Sequence, residues 1–252
     1  MPASSYDDSV PLKTNLPMNI TLSPIGTIHS PFKEKFGVPR QPGIASAARA
    51  TLELLPPYDR EEALEGLAGF SHIWVLFVFH ATAAQGWNPT VRPPRLGGNA
   101  RVGVFASRST FRPNPIGMSV VELDGITRED GKLVLHIKGA DILDGTPVLD
   151  IKPYVPYADS LPDARGGFAD SAPGNRLSVQ FTAAAEAQLA VRELEHPQLR
   201  ELITQVLSAD PRPAYRDDEA AERIYGMRLF DFDLRWRVEG NSAVVVELRE
   251  SM

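Results

Sequence analysis

The sequence predicts a mainly β protein, in which a small closed β-barrel is followed by a small α+β C-terminal domain. Short apolar runs rich in aromatic and β-branched residues recur through the first part of the chain, and turn residues separate them. The 22 prolines and 19 glycines fall between these runs. Many turns and a single short helical pattern before residue 157 favour a closed barrel over a doubly wound sheet.

The elements of the barrel are predicted from local patterns. Arg49–Leu55 alternates polar and apolar residues, the period of a half-buried strand. Ser71–His80 is the run richest in aromatic and β-branched residues, so we expect it at the centre of the sheet. Asp59–Leu67 is predicted as a short helix with Asp59 as its N-cap, and Asp130-Gly131 as a hairpin turn. The other predicted strands are Ile20–Ile28, Arg101–Ala106, Met118–Leu123, Leu133–Ile137 and Val148–Tyr154.

The chain is predicted to have three parts. Residues 1–17 contain no apolar run of the kind found in secretory signals, and we expect a disordered leader. Residues 18–157 form the barrel domain, and a connection rich in Pro, Gly, Asp and Ser then leads into a domain at 158–252. That domain is predicted to contain helices at Ala183–Leu194 and Gln198–Ser208, and a hairpin of Met227–Val238 and Ala243–Leu248.

Composition excludes several classes of function. The chain has no cysteine, so disulfides and thiolate chemistry are absent and a reducing compartment suits it. The longest apolar run, Ile73–Phe79, is too short to span a bilayer, and we expect a soluble, cytoplasmic protein with no membrane partner. The five histidines include no metal-binding pair at helical spacing, so no metal is expected. Glycine-rich dinucleotide, Walker A and nucleophile-elbow motifs are also missing.

Charge is distributed unevenly. The net charge is −6, yet the stretch from Gly66 to Val121 contains five arginines and no Asp or Glu. A basic segment on an acidic chain suits a localised anionic ligand such as phosphate or RNA. A solvated surface that pairs with acidic residues elsewhere explains the same pattern, and the sequence leaves both interpretations open.

Three stretches carry candidate chemistry. The Pro-rich loop at 111–117 holds its backbone stiffly and presents Arg108, Arg112 and Asn114, a set suited to binding carboxylate or phosphate. A rigid turn whose arginines bind carbonyl groups is the alternative. The loop at 36–43 offers backbone groups to a ligand or is a plain Pro/Gly loop. Carboxylates at 141–150 suit hydroxyl or amine groups, although Asp144-Gly145 also fits a simple turn.

These stretches closely resemble the TsaA-like family. The resemblance rests on KEKFGVPRQPG (33–43), RPPRLGGNARVGVFASRSTFRPNPIGMS (92–119) and DILDGTPVLDIKPY (141–154), with DPRPAYR (210–216) and LRWRV (234–238) near the C-terminus. It implies a methyltransferase of non-Rossmann fold that uses S-adenosylmethionine on a β-barrel, near a homodimer interface. The implied substrate is the threonylcarbamoyl-modified adenosine next to the anticodon of threonine tRNA, which is methylated on its exocyclic N6 nitrogen.

The resemblance also implies roles for individual residues. For the catalytic role, which the resemblance does not give, we hypothesise that Arg112 or Asn114 polarises the carbamoyl group or holds the threonyl carboxylate. Arg92, Arg95, Arg212, Tyr215 and Arg216 are expected to contact tRNA. The residues expected to line the cofactor site are Gln41, Pro42, Gly43, Phe79, His80, Arg108, Met118, Lys138, Gly139, Ala140 and Asp141.

Two other functions stay open at this stage. One is an S-adenosylmethionine-dependent methyltransferase that acts on another RNA or on a small molecule. The other is a non-catalytic barrel that binds RNA or a nucleotide, which would bind tRNA without consuming the cofactor.

Overall fold

The computed structural model describes residues 19–171, 177–212 and 223–251, so the leader predicted at 1–17 lies outside the described residues. The mainly β prediction is confirmed. The α-helices are α1 His80–Ala83, α2 Pro156–Asp159, α3 Ala183–Arg192 and α4 Leu199–Ser208. The strands are β1 Gly26–His29, β2 Arg49–Leu54, β3 His72–Val78, β4 Thr90–Val91, β5 Val102–Gly103, β6 Ile116–Glu129, β7 Lys132–Lys138, β8 Pro147–Pro153, β9 Ser178–Phe181, β10 Tyr225–Leu229, β11 Phe232–Glu239 and β12 Ser242–Glu250.

Six strands form a closed barrel in the order β1-β2-β7-β6-β3-β8, and β8 pairs back onto β1. Every pairing in the barrel is antiparallel. Alternate residues point inward along each strand, and Leu52, Ile73, Val75, Leu135 and Ile137 fill the interior. The period-two pattern read from the sequence at residues 49–55 therefore marks a real strand of this barrel.

Three local predictions for this region are wrong. β1 starts only at Gly26, because Pro24 within the predicted strand has no N–H to donate to a neighbour. The predicted helix at 59–67 is instead two 3₁₀ helices, Glu61–Leu64 and Leu67–Gly69, and Gly66 between them is left-handed with φ +81°. The predicted strand at 101–106 is the two-residue β5 followed by a 3₁₀ turn, and it pairs with β4 outside the barrel.

Three connections emerge at one end of the barrel because neighbouring strands run in opposite directions. They are the β1–β2 connection (30–48), the β3–β6 connection (79–115) and the β7–β8 connection (139–146). The start of β2 lies beside the end of β7, and the end of β3 lies beside the start of β6. Most of each of the three sequence stretches singled out for chemistry falls in one of these connections.

The C-terminal part contains a four-stranded sheet of order β10-β11-β12-β9 and the helices α3 and α4. Its core contains the fully buried side chains of Trp236 and Phe232, together with Leu199, Leu202 and Leu189 from the two helices. Thr182 is the N-cap of helix α3, and its hydroxyl accepts a hydrogen bond from the N–H of Ala185.

The strands predicted for this sheet from the sequence differ from those in the structure. The run predicted as one strand at 227–238 is two strands, since Phe230 adopts φ +50° and turns the chain between β10 and β11. Strand β9 was not predicted; it has four residues and pairs in parallel with β12. The predicted hairpin between the runs 227–238 and 243–248 is confirmed where β11 pairs antiparallel with β12 across Gly240-Asn241.

Part of the β1–β2 connection belongs to the second core. Phe32, Ala45, Ala47 and Ala48 are buried against the C-terminal sheet and helices, although they lie in the N-terminal half of the sequence. Phe32 forms an isolated bridge with Leu229. The two hydrophobic cores are therefore joined by the connection that carries the first of the chemistry-bearing stretches.

None of the helices in the described ranges has the length and hydropathy needed to cross a bilayer. Over the same ranges, no group of three or more His, Asp or Glu residues is arranged to hold a metal ion.

Candidate functional site

The three connections at the barrel end contact one another directly. Arg108, from the second connection, donates from Nη1 to Oε1 of Gln41 in the first at 2.6 Å. The backbone N–H of Gly43 donates to the carbonyl of Gly139 at 2.9 Å, which ties the first connection to the third. Gly43 and Gly139 both have positive φ, and a Cβ added to Gly139 would lie 3.4 Å from the Gly43 Cα. Glycine at these positions allows the two backbones to approach.

Asp141 is the carboxylate of this site. Its Oδ1 accepts a hydrogen bond from the Ser119 hydroxyl at 2.6 Å, which joins the third connection to β6. Burial raises the pKa of Asp141 to about 6, while the Ser119 hydrogen bond and the charge of Arg108 act in the opposite direction. The carboxyl therefore changes its ionisation close to neutral pH.

Aromatic side chains form the wall on the β3 side. The rings of Phe77 and Phe79 meet edge to face with centroids 5.3 Å apart, and Gly117 of β6 leaves room for both. His80 follows at the start of α1, and its Nδ1 lies 3.2 Å from the hydroxyl of the buried Thr146. Met118 points outward from β6 with 53% of its surface exposed.

Other predicted cofactor residues have different surroundings. The ammonium group of Lys138 binds the carboxylates of Glu122 and Asp124, so its side chain is directed to acids on the barrel surface. Ala140 is buried within the barrel core and can only form a wall of the site. Pro42 lies half-buried between Gln41 and Gly43.

The two catalytic candidates lie in the rigid loop before β6. Nη1 of Arg112 donates to the carbonyl of Ser107 at 2.7 Å and to that of Val104 at 3.3 Å. Nη1 of Arg112 thus makes the carbonyl contacts that the sequence left open as an alternative, and these contacts hold the guanidinium in the loop. Asn114 accepts from the N–H of Ile116 through its backbone carbonyl, and the residue is exposed.

The predicted RNA contacts divide into three groups. Arg92 and Arg95 are exposed, and Arg95 donates to the carbonyl and the hydroxyl of Ser171. Arg212 is 8% exposed and forms a two-pronged ion pair with Asp210, so its side chain is directed into the protein. Tyr215 and Arg216 lie outside the described residues.

Two residues of the site were not singled out from the sequence. Ser119 and Thr146 are buried hydroxyls that bind Asp141 and His80. Ser119 lies two residues after the inward-facing Gly117 on β6, so it also faces inward. A polar residue at an inward position of a strand is the sequence signal that could have identified Ser119 as a site residue.

The arrangement suits a ligand that combines three chemical features. A carboxylate such as Asp141 accepts hydrogen bonds from hydroxyl groups, and an exposed guanidinium such as that of Arg108 binds a carboxylate. An aromatic ring such as that of Phe79 packs against a planar base. A nucleoside that carries an amino-acid group with a free carboxylate has all three features.

Comparison with known proteins identifies the family. Residues 27–160 match the tRNA-methyltransferase O N-terminal domain, and residues 174–251 match the TrmO C-terminal domain. The tRNA (adenine(37)-N6)-methyltransferase of Escherichia coli (strain K12) is 56% identical over 214 residues, which are 85% of this chain and 91% of that protein. A relative from Pseudomonas aeruginosa, whose name describes an S-adenosylmethionine-dependent methyltransferase, is 54% identical over 87% of this chain and 93% of its own length.

Solved structures agree with this assignment. A crystal structure of TrmO from Pseudomonas aeruginosa superposes with a TM-score of 0.76 and 46% identity, and the match covers 93% of this chain and 98% of that one. The two family-domain matches together span both cores and each connection at the barrel end. This chain belongs to the tRNA-methyltransferase O (TrmO) family.

Proposed function

We propose that this protein is an S-adenosylmethionine-dependent tRNA methyltransferase that methylates N6 of threonylcarbamoyladenosine next to the anticodon of threonine tRNA. The observation that carries the proposal is the direct contact of three connections at one barrel end, in a chain of the TrmO family. These contacts bring a guanidinium, a carboxylate and an aromatic wall together, which suits an amino-acid nucleoside.

The cofactor is assigned to this barrel end. Asp141 accepts hydrogen bonds from its hydroxyl or amino groups, and Arg108 binds its carboxylate while Gln41 holds the guanidinium in place. Phe79 supports the base, with Pro42, Gly43, Gly139 and Ala140 forming the surrounding wall. Lys138 contributes through its backbone, since its ammonium group binds Glu122 and Asp124.

The chemistry required is an in-line displacement. S-adenosylmethionine, when bound, supplies a methyl group on a sulfonium centre. Much of the rate enhancement comes from holding the attacking nitrogen in line with that methyl, so no strongly nucleophilic side chain is needed. Arg112 and Asn114 are assigned to the threonylcarbamoyl group, because the loop that carries them is held by carbonyl contacts beside the site. An Arg112→Ala enzyme that keeps full turnover would remove this role.

The RNA surface is assigned to the second connection. Arg92, Arg95 and Arg101 are exposed on a stretch that contains no acidic residue. Arginines of this kind bind phosphates and position the RNA, while the modified base supplies specificity. Tyr215 and Arg216 remain assigned to RNA from the sequence alone.

The protein is proposed to act as a cytoplasmic homodimer. Large apolar side chains are exposed around the site, in particular Phe105 at 76%, Trp87 at 54% and Met118 at 53%. Exposed apolar residues in such numbers beside a ligand site are typical of a surface that a second copy covers. The cytoplasmic location follows from the proposed tRNA substrate and agrees with the absence of cysteine.

Nucleoside mass spectrometry tests the proposal. Threonine tRNA that carries threonylcarbamoyladenosine is incubated with the protein and S-adenosylmethionine, then digested to nucleosides. We expect the modified nucleoside to gain the mass of one methyl group, and unmodified adenosine to gain none.

Two other outcomes point elsewhere. Cofactor binding without methylation of this nucleoside would keep the methyltransferase class and reject the substrate. Failure of both cofactor binding and methylation would leave the RNA-binding barrel as the remaining explanation.

A further inference from the structure

The loop that carries Gln41 is built on the C-terminal core. Phe36 and Val38 pack against that core, and Gly37 approaches it so closely that an added Cβ would lie 2.7 Å from the sulfur of Met227. At the other end of the connection, the N–H of Ala47 donates to the side-chain carbonyl of Gln205 on α4 at 2.9 Å. The conformation of this loop therefore depends on residues of the second half of the chain.

Asp210 lies at a strained position just after helix α4. Its φ is +51°, a left-handed conformation that usually belongs to glycine at the end of a helix. Its carboxylate accepts from both Nε and Nη2 of Arg212, each at 2.8 Å, and the two side chains are only 4% and 8% exposed. A buried two-pronged ion pair of this kind fixes the backbone between its two residues.

The backbone fixed by this ion pair contacts the loop. Nη2 of Arg40 donates to the carbonyl of Arg212 at 3.1 Å. Arg40 immediately precedes Gln41, whose side chain accepts the hydrogen bond from Arg108. A continuous series of contacts thus runs from the Asp210 carboxylate to the guanidinium at the barrel end.

We infer that the Asp210–Arg212 ion pair is a positioning element for the cofactor, acting through Arg40 on Gln41 and Arg108. The inference rests on the proposed function, since it takes the barrel end to be the cofactor site. A loop that is ordered before binding adds no ordering cost to the binding step, whereas a loop released from Arg212 must be ordered by the ligand.

The test measures S-adenosylmethionine affinity by calorimetry on the full chain without tRNA, below the onset of unfolding. The variants are Asp210→Asn, Arg40→Ala and the double variant. Asn tolerates left-handed φ, so Asp210→Asn removes the charge and keeps the turn. We expect each single variant to bind about tenfold more weakly, and the double variant to bind no more weakly than the worse single one, because both changes break the same series of contacts.

A matched control lies in the same part of the chain. Glu186 and Arg200 form another two-pronged ion pair, with distances of 2.9 and 2.6 Å, between α3 and α4. Glu186→Gln is expected to leave cofactor affinity unchanged. Arg40→Lys, which keeps a donor at this position, is expected to recover part of the affinity that Arg40→Ala loses.

The outcomes separate this inference from the proposed function. Gln41→Ala and Asp141→Asn variants that bind S-adenosylmethionine as well as the parent would reject the cofactor site itself. If those two variants bind weakly while Arg40→Ala and Asp210→Asn bind normally, the positioning role is wrong. If the ion pair has a purely structural role, its variants should have a lower melting temperature while the folded protein keeps its affinity for S-adenosylmethionine, and this result would overturn the inference. Additive losses of affinity in the double variant would also overturn it, because they would show that the two residues act independently.

Discussion

Asp141 is the residue at which the barrel interior meets the candidate site, and opposing influences act on its carboxyl. Burial favours the neutral form, whereas the Ser119 hydroxyl and the nearby Arg108 charge favour the ionised form. The result is a pKa of about 6, raised from the ordinary 3.8. Between these two values the folded protein retains a proton that the unfolded chain has lost. The neutral carboxyl therefore stabilises the fold fully below about pH 4, and this contribution, at most about 3 kcal/mol, is lost as the pH rises through 6.

The affinity for the cofactor should depend on the same carboxyl, but it should rise with pH over the range in which the stability of the fold falls. If Asp141 accepts hydrogen bonds from cofactor hydroxyls, the ionised form binds and the neutral form does not. We expect the affinity for S-adenosylmethionine to rise about tenfold between pH 5 and pH 7, as the carboxyl ionises around pH 6. Calorimetric titrations across this range check the prediction, and Asp141→Asn is expected to give a weak and nearly constant affinity. A parent enzyme with a flat pH profile would show that Asp141 does not contact the cofactor.

Among the elements, strand β6 determines the shape of the site because its inward residues alternate with exposed ones. Gly117 and Ser119 face inward, while Met118 between them faces outward. Gly117 accommodates two rings: an added Cβ would lie 2.4 Å from the Phe77 ring and 2.9 Å from that of Phe79. The absence of a side chain at one position of β6 thus sets the position of the aromatic wall.

A pair of glycine variants on β6 tests this role. Gly117→Ala is expected to lower the free energy of unfolding by about 1–3 kcal/mol, because the rings must move to admit a methyl group. It should also weaken cofactor binding, since Phe79 is displaced. Gly125→Ala is the control on the same strand, where an added Cβ meets nothing within 4 Å. Urea denaturation and calorimetry check both variants, and equal behaviour of the two would contradict the packing argument.

Strands and turns with a local signature could be predicted from the sequence, and those that depend on distant partners could not. Arg49–Leu54 alternates because one face of β2 meets the barrel core, and this pattern is visible in the letters alone. β9 has four residues and obtains its hydrogen bonds from β12, more than 60 residues further along the chain. The turn at Phe230 lacks the usual Gly or Asn, so two strands were taken for one.

For the candidate site, the sequence indicated the stretches but not their contacts. The loops at 36–43 and 111–117 were singled out by their Pro, Gly and Arg residues, and the family resemblance then covered the longer motifs at 33–43 and 92–119. The hydrogen bond between Arg108 and Gln41 joins residues 67 positions apart, and the fold alone determines it. Arg212 was assigned to RNA because exposed and buried arginines look the same in a sequence. No role was predicted for Ala45 and Ala48, since small side chains reveal burial only when their neighbours are known.

At the scale of the whole molecule, large apolar side chains are exposed on the surface around the site. Phe105 is the most exposed of its large apolar side chains, and the guanidinium of Arg112 lies 5.9 Å from the centre of its ring. A second copy that covers this surface would shield the cofactor from water, as many transfer reactions require.

The oligomeric state checks this assignment. Sedimentation equilibrium of the parent at micromolar concentration is expected to give twice the chain mass of 27.6 kDa, and Phe105→Glu is expected to shift the mass to a single chain. Turnover should fall in the same variant. Leu194→Glu changes an apolar residue that is 83% exposed in the C-terminal half, and it should remain dimeric and active. A parent that sediments as a single chain would contradict the dimer.

The β1–β2 connection, whose residues Phe32, Ala45 and Ala48 are buried in the second core, also bears on how the protein can be divided. The two halves of the sequence are not interchangeable modules, because the first half inserts a piece of itself into the second. A barrel grafted onto the C-terminal half of a distant homologue would bring an ill-fitting insert with it. Conversely, a protein split in the exposed segment near Leu161 would keep its halves interlocked. The molecule is better suited to a break in its chain than to an exchange of its parts.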